Sequence, residues 1–157
     1  MILIGLGSNL SGPWGSPRKT VERALQTLDA WPVQLIRAST LMETAPYGVT
    51  NQPQFVNTVA IVRTALSPEA LMRRLHGIEK AAGRKRIRHW GPRTLDLDIL
   101  DYHGQTRRPR STRHKSLILP HPGIPLRNFV LCPILEIAPR WRHPVLRQSA
   151  KVMLQKL

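Results

Sequence analysis

One helix-opening signal occurs twice in this chain, and its spacing limits the folds available to it. Ser16-Pro17 and Ser67-Pro68 each set a capping hydroxyl before a proline. Apolar residues follow both at helical spacing: Val21, Ala24, Leu25 and Leu28 after the first, and Leu71, Leu75, Ile78 and Ala82 after the second, which Gly83 closes. Strand-like runs bracket the two helices, at Met1–Leu6, Val33–Leu41, Phe55–Arg63 and Thr94–Asp101. The order β-α-β-β-α-β predicts an α+β fold, a ferredoxin-like βαββαβ sheet with helices packed on it. Gly5 and Gly7 predict a sharp turn at the end of the first strand, and Met42–Gln54 reads as a long loop. Beyond Tyr102 the chain is less regular: a basic loop, then LILPHPGIPLRNFVLCPILEIAP, then a polar tail able to end in a short helix, all additions C-terminal to the sheet. With 157 residues, 41% of them hydrophobic, and no internal repeat or linker, one domain spanning 1–157 is expected.

Charge narrows the partners. Lys and Arg total 24 against 9 Asp and Glu, a formal net charge of +15, so an anionic partner is expected. Five of the cations lie in Arg84–Arg93 (RKRIRHWGPR) and five in Arg107–Lys115 (RRPRSTRHK). The second cluster reads first as a solvated loop. No apolar run approaches the roughly 18 residues a membrane span needs, and MILIGLGSNLSG is too short and too poor in cations for a signal peptide. A cytoplasmic chain with no membrane partner is expected, in keeping with a lone Cys132 set among apolar neighbours.

Chemistry concentrates in WGPRTLDLDILD at residues 90–101. Alternation places Leu95, Leu97 and Ile99 on one strand face and Asp96 and Asp98 on the other. Two acids on one face repel, and they need either open water or a cation. Residues two apart on a strand sit on the order of 6.5 Å apart along the backbone, close enough for both carboxylates to converge on Mg²⁺. Arg84, Arg86, Arg88 and Arg93 lie immediately upstream, so phosphate-binding guanidinium groups adjoin the acids, the combination that phosphoryl-transfer sites use. Trp90 is either a lid over a ligand or packing beneath the loop.

Other candidates carry two readings each. Phe55 and Asn57 alternate on one face, which suits a flat heterocycle and equally suits a half-buried strand. Glu79, on the flank of an apolar helix face, is either partnered or functional. His121, held in PHPG, is placed to present a donor to a phosphate. Arg127 and Phe129 pair an anion contact with a stacking ring, or an exposed cation with a core ring. GLGSNL lacks the third glycine of a dinucleotide fingerprint, and no phosphate-cradling G-x-x-x-x-G-K-[ST] loop occurs.

These segments resemble, in order and over nearly the whole chain, the 6-hydroxymethyl-7,8-dihydropterin pyrophosphokinase family: GLGSNL, TAPYG at Thr44–Gly48, QPQFVN at Gln52–Asn57, Gly83-Arg84, WGPRTLDLDI at Trp90–Ile99, LPHP and RNFVL. The resemblance implies pyrophosphoryl transfer from ATP to 6-hydroxymethyl-7,8-dihydropterin, releasing AMP, in a monomer. It implies two Mg²⁺ on Asp96 and Asp98, with Arg84 and Arg93 stabilising phosphate charge and Arg86, Arg88 and Trp90 on a closing loop. His121 and Arg127 would contact the nucleotide phosphates, Ile99 with residues 117–119 the adenine, and His76 and Glu79 the nucleotide side. Phe55 and Phe129 would sandwich the pterin, with Asn57 and the loop of Thr44, Ala45, Pro46 and Tyr47 reading its edge. The basic segment around Arg107–Lys115 is longer than the family pattern. The competing class is a basic nucleic-acid-binding module on the same sheet topology, but the aromatic run of RNA-recognition domains is missing from FVNTVAIV, and no specific nucleic acid is expected as partner.

Overall fold

A computed structural model of the chain describes residues 1–44, 54–84, 93–109 and 117–157. Both Ser-Pro signals open helices. Ser16 Oγ accepts from Lys19 N at 3.3 Å and starts α1 (Pro17–Leu28), and Ser67 Oγ accepts from Ala70 N at 3.2 Å and starts α2 (Pro68–Ala81). The strands are β1 (Ile2–Ser8), β2 (Val33–Ala38), β3 (Met42–Thr44), β4 (Phe55–Thr64) and β5 (Asp96–Tyr102). They form an open sheet in the order β2-β4-β1-β5, every adjacent pair antiparallel, with β3 also paired to β4.

The alternation of β1 divides the core in two. Ile2, Ile4 and Leu6 pack with Val21, Ala24 and Leu28 of α1 and Leu71, Leu75 and Ile78 of α2. Leu3 points to the other face, where Val59 and Leu100 meet α3 (Asn128–Ile137) and α4 (Ala150–Leu154). A bulge in β5, where Leu3 pairs Asp101 and Ile4 pairs Ile99, turns Leu100 and Asp101 to this same side. There Asp101 accepts from Trp141 Nε1 at 2.7 Å and from Gly104 N at 2.9 Å, which binds the C-terminal segment to the sheet.

Three expectations are corrected. Part of the expected long loop is β3, which continues the line of β2 along β4. The break between them is stitched by Ser39, whose N–H donates to Val59 O at 2.9 Å and whose hydroxyl accepts from Val59 N at 3.0 Å. The irregular segment contains α3, hidden because it is apolar nearly all round and carries Pro133, which can donate no bond to the Phe129 carbonyl four residues back. Gly5 and Gly7 are not turn residues: both lie inside β1, on the face shared with Leu3.

Candidate active site

α3 and α4 cover only part of the second sheet face. The remainder is a pocket open to solvent, floored by β1, β4 and β5 and walled by the start of α3. Its floor is flat because β1 presents glycines there. A Cβ on Gly7 would stand 2.6 Å from Asn57 Oδ1, so this position leaves room for the amide of its cross-strand partner. Asn57 Nδ2 donates to Thr44 Oγ1 at 3.0 Å, which couples β4 to β3, and Phe55 and Phe129 line the same pocket.

The pocket is also charged. β5 presents Asp96 and Asp98 to the pocket, as their alternation with buried Leu97 and Ile99 requires. The end of α2 supplies the first counter-charge: Arg84 Nη1 bonds both Glu79 Oε2 and, at 2.9 Å, Asp96 Oδ1. Arg93 Nη1 donates to Asp96 Oδ2 at 2.8 Å, and Arg93's backbone is fixed by Asn9, whose Oδ1 accepts from Arg93 N at 2.9 Å. Glu79 is buried and also accepts from Leu97 N at 3.0 Å, so it joins α2, Arg84 and β5.

These surroundings shift the titrating groups. Burial is the main force raising Asp98, assisted by the negative charges of Asp96 and Glu79, and its carboxyl is pushed up to about 7 despite Arg127 and Arg93. Asp98 nonetheless keeps a third of its side-chain surface open to the pocket, 34%. Burial likewise raises Glu79 against the opposing Leu97 N–H and Arg84. For Arg84, burial works against the charge, but Asp96 and Glu79 outweigh it and hold its pKa above the ordinary value. Burial and then Arg127 lower His121. His121 Nδ1 accepts from Gly123 N at 3.0 Å, so the neutral ring carries its proton on Nε2, 3.8 Å from Asp98 Oδ2. The Arg127 guanidinium lies 5.8 Å from the Phe129 ring centroid and 2.7 Å from where a Gly123 Cβ would stand.

The pocket therefore has aromatic and amide groups suited to a flat heterocycle and acidic and cationic groups suited to phosphates and a divalent cation. A family model for 7,8-dihydro-6-hydroxymethylpterin-pyrophosphokinase matches residues 3–139. The chain belongs to this pyrophosphokinase family. It is 35% identical over 150 residues to the 2-amino-4-hydroxy-6-hydroxymethyldihydropteridine pyrophosphokinase of Aquifex aeolicus, covering 96% of this chain and 88% of that one. With the Pseudomonas aeruginosa enzyme of the same name the identity is 40% over 145 residues, covering 91% and 83%. Among solved structures, a Plasmodium falciparum HPPK-DHPS triple mutant matches at a TM-score of 0.77 and 14% identity. That likeness concerns the fold, and it spans 99% of this chain but 42% of the longer one.

Against that family pattern, the structure brings together Thr44, Phe55, Asn57, Arg93, Asp96, Asp98, Arg127 and Phe129 around one pocket, with Arg84 and His121 bonded or adjacent to its acids. His76 sits on an exposed position of α2 and is not among the pocket's lining residues. Ile99 is 1% exposed with its side chain in the core against α1 and α2, so an adenine contact through that side chain does not fit. Two residues before it, the Leu97 N–H points off the sheet edge to Glu79, and by alternation the backbone of Ile99 faces that edge too. Ala45, Pro46, Tyr47, Arg86, Arg88 and Trp90 lie outside the described residues. Sequence reasoning missed Asn9 as the anchor of Arg93 and Gly7 and Gly123 as the residues that make room for Asn57 and Arg127. The glycines were visible in GLGSNL and PHPG, but only the cross-strand register shows what they accommodate.

Proposed function

We propose that this pocket is the site at which the chain transfers the pyrophosphoryl group of ATP to 6-hydroxymethyl-7,8-dihydropterin in folate biosynthesis. The pterin hydroxymethyl oxygen attacks the β-phosphorus, the bond from that phosphorus to the bridging oxygen of the α-phosphate breaks, and AMP leaves as the hydroxyl proton is lost. The observation that carries the reading is the joining, in one pocket of a pyrophosphokinase family member, of an aromatic and amide slot with a paired-carboxylate and guanidinium cluster.

Phe55 and Phe129 sandwich the pterin, while Asn57, oriented by Thr44, hydrogen-bonds its edge together with Ala45, Pro46 and Tyr47. Arg84 and Arg93 stabilise the charge that develops on the phosphoryl oxygens. His121, through its Nε2 proton, and Arg127 donate to the nucleotide phosphates. The backbone edge of Ile99 and residues 117–119 take the adenine, with His76 toward the nucleotide side and Glu79 acting through Arg84. Arg86, Arg88 and Trp90 close over the phosphates and exclude water.

The donor set fits Mg²⁺: Asp96 and Asp98 offer hard oxygens side by side on the pocket face of β5, and Asp98 keeps a third of its side-chain surface, 34%, open to the pocket. Among the described residues, no group of three or more His, Cys, Asp or Glu side chains gathers as a metal site. Two Mg²⁺ held by Asp96 and Asp98 would neutralise the triphosphate and acidify the attacking hydroxyl.

The strand order supports a ferredoxin-like βαββαβ core with β3, α3 and α4 added, in one pyrophosphokinase domain. The lone Cys132 and the use of ATP support a cytoplasmic setting. Nucleotide products formed from ATP, Mg²⁺ and 6-hydroxymethyl-7,8-dihydropterin test the reading. AMP that requires the pterin and disappears in Asp96→Ala is expected; ADP or no turnover overturns it.

A further inference from the structure

Both oxygens of the Asp96 carboxylate are already engaged. Arg84 Nη1 takes Oδ1 at 2.9 Å and Arg93 Nη1 takes Oδ2 at 2.8 Å. We propose that Arg84 and Arg93 occupy Asp96 in place of a cation, and that phosphate binding, by drawing the guanidinium groups away, opens Asp96 to metal. Metal and nucleotide affinity are then coupled through an exchange of partners at one carboxylate. The proposal rests on the placement of ATP and Mg²⁺ in this pocket argued above.

The geometry favours such an exchange. Arg84 contacts Glu79 and Asp96 through the same nitrogen, and Glu79 is 4% exposed, so on leaving Asp96 it retains a buried carboxylate partner. Arg93's backbone is held by Asn9, while its side chain is 27% exposed and, among the described residues, pairs with Asp96. Its guanidinium can swing toward an incoming phosphate without moving the strand. Asp98 differs: among the described residues no guanidinium group bonds it, and the His121 Nε2 stands 3.8 Å from its Oδ2. Asp98 is open to a cation from the outset, whereas Asp96 must first be vacated. A carboxylate paired nine-tenths of the time loses about tenfold in apparent affinity for a competing cation.

Mn²⁺ binding to the nucleotide-free protein, read by electron paramagnetic resonance, tests the exchange. Arg93→Gln is expected to tighten Mn²⁺ binding about tenfold, Arg127→Gln by less than threefold, and Asp96→Asn to abolish the gain from Arg93→Gln. A general electrostatic effect would make the two arginine variants equal, and that result overturns the proposal, as would no change in Arg93→Gln. Conversely, in EDTA, α,β-methylene-ATP is expected to bind Asp96→Asn several-fold more tightly than wild type, and Asp98→Asn with a smaller gain. Equal gains overturn it. These binding readouts need no turnover, so failure of pterin-dependent AMP formation with the predicted Mn²⁺ pattern would refute the activity and leave the exchange standing.

Discussion

Gly7→Ala isolates the claim that β1 is shaped around the ligand rather than around a turn. The new Cβ would lie 2.6 Å from Asn57 Oδ1, against about 3.4 Å for ordinary contact, so the amide must shift by roughly 0.8 Å. Asn57 is 8% exposed and bonded to Thr44 Oγ1 at 3.0 Å, which leaves little slack for that shift. Losing the bond costs about 1 kcal/mol and an off-rotamer amide about another 1 kcal/mol. Replacing glycine inside a strand returns about 0.5–1 kcal/mol. The net destabilisation is about 1–1.5 kcal/mol, a fall in Tm of roughly 3–5 °C for a chain of this size. Pterin recognition should suffer more. An amide displaced from the ring edge forfeits about 1–3 kcal/mol, a rise in pterin KM of roughly 5- to 150-fold, with ATP KM within twofold. Steady-state kinetics with each substrate varied in turn, beside a thermal melt, separates these effects. An unchanged pterin KM, or an equal rise in ATP KM, would refute the assignment of Asn57 to the pterin edge.

Two further outcomes follow from buried polar groups. Asp101→Asn leaves one oxygen to serve both Trp141 Nε1 and Gly104 N, and is expected to lower stability by about 2 kcal/mol in urea titration; no loss would mean that the two donors are satisfied otherwise. His143 is held below its ordinary pKa mainly by burial, with Asp101 opposing, and its Nδ1 accepts from Val145 N at 3.2 Å and Leu146 N at 3.1 Å. Above about pH 6.5 both folded and unfolded chains carry it neutral; below, the unfolded chain takes the proton first and stability falls. His143→Asn keeps an acceptor for the turn and should lose less Tm between pH 7.5 and 5 than wild type does. Equal losses would count against His143.

Much of the fold was legible because it rests on local signals. Both Ser-Pro caps, the helical spacing behind them and the period-two alternation through Asp96 and Asp98 operate over a few residues, and each is realised. What escaped depends on partners distant in sequence. β3 is three residues long and exists through its pairing with β4, while α3 is buried between sheet and α4, so it shows no polar stripe to reveal its period. At the site, residue types and strand faces were readable. The partners of Asp96 were not, since Arg84 arrives from the end of α2 and Arg93 from a loop pinned by Asn9, 84 residues upstream. Ile99 shows the limit of carrying a contact by position: alternation already assigns its side chain to the core.

The central claim, that this pocket moves a pyrophosphoryl group intact, is tested most directly by following ATP labelled at the β-phosphorus through a single turnover with 6-hydroxymethyl-7,8-dihydropterin. The account predicts that the label leaves with the pterin as a diphosphate ester while AMP emerges unlabelled, and that Asp96→Asn and Asp98→Asn each suppress both products. Label retained in ADP, or transfer that persists without either carboxylate, would contradict it.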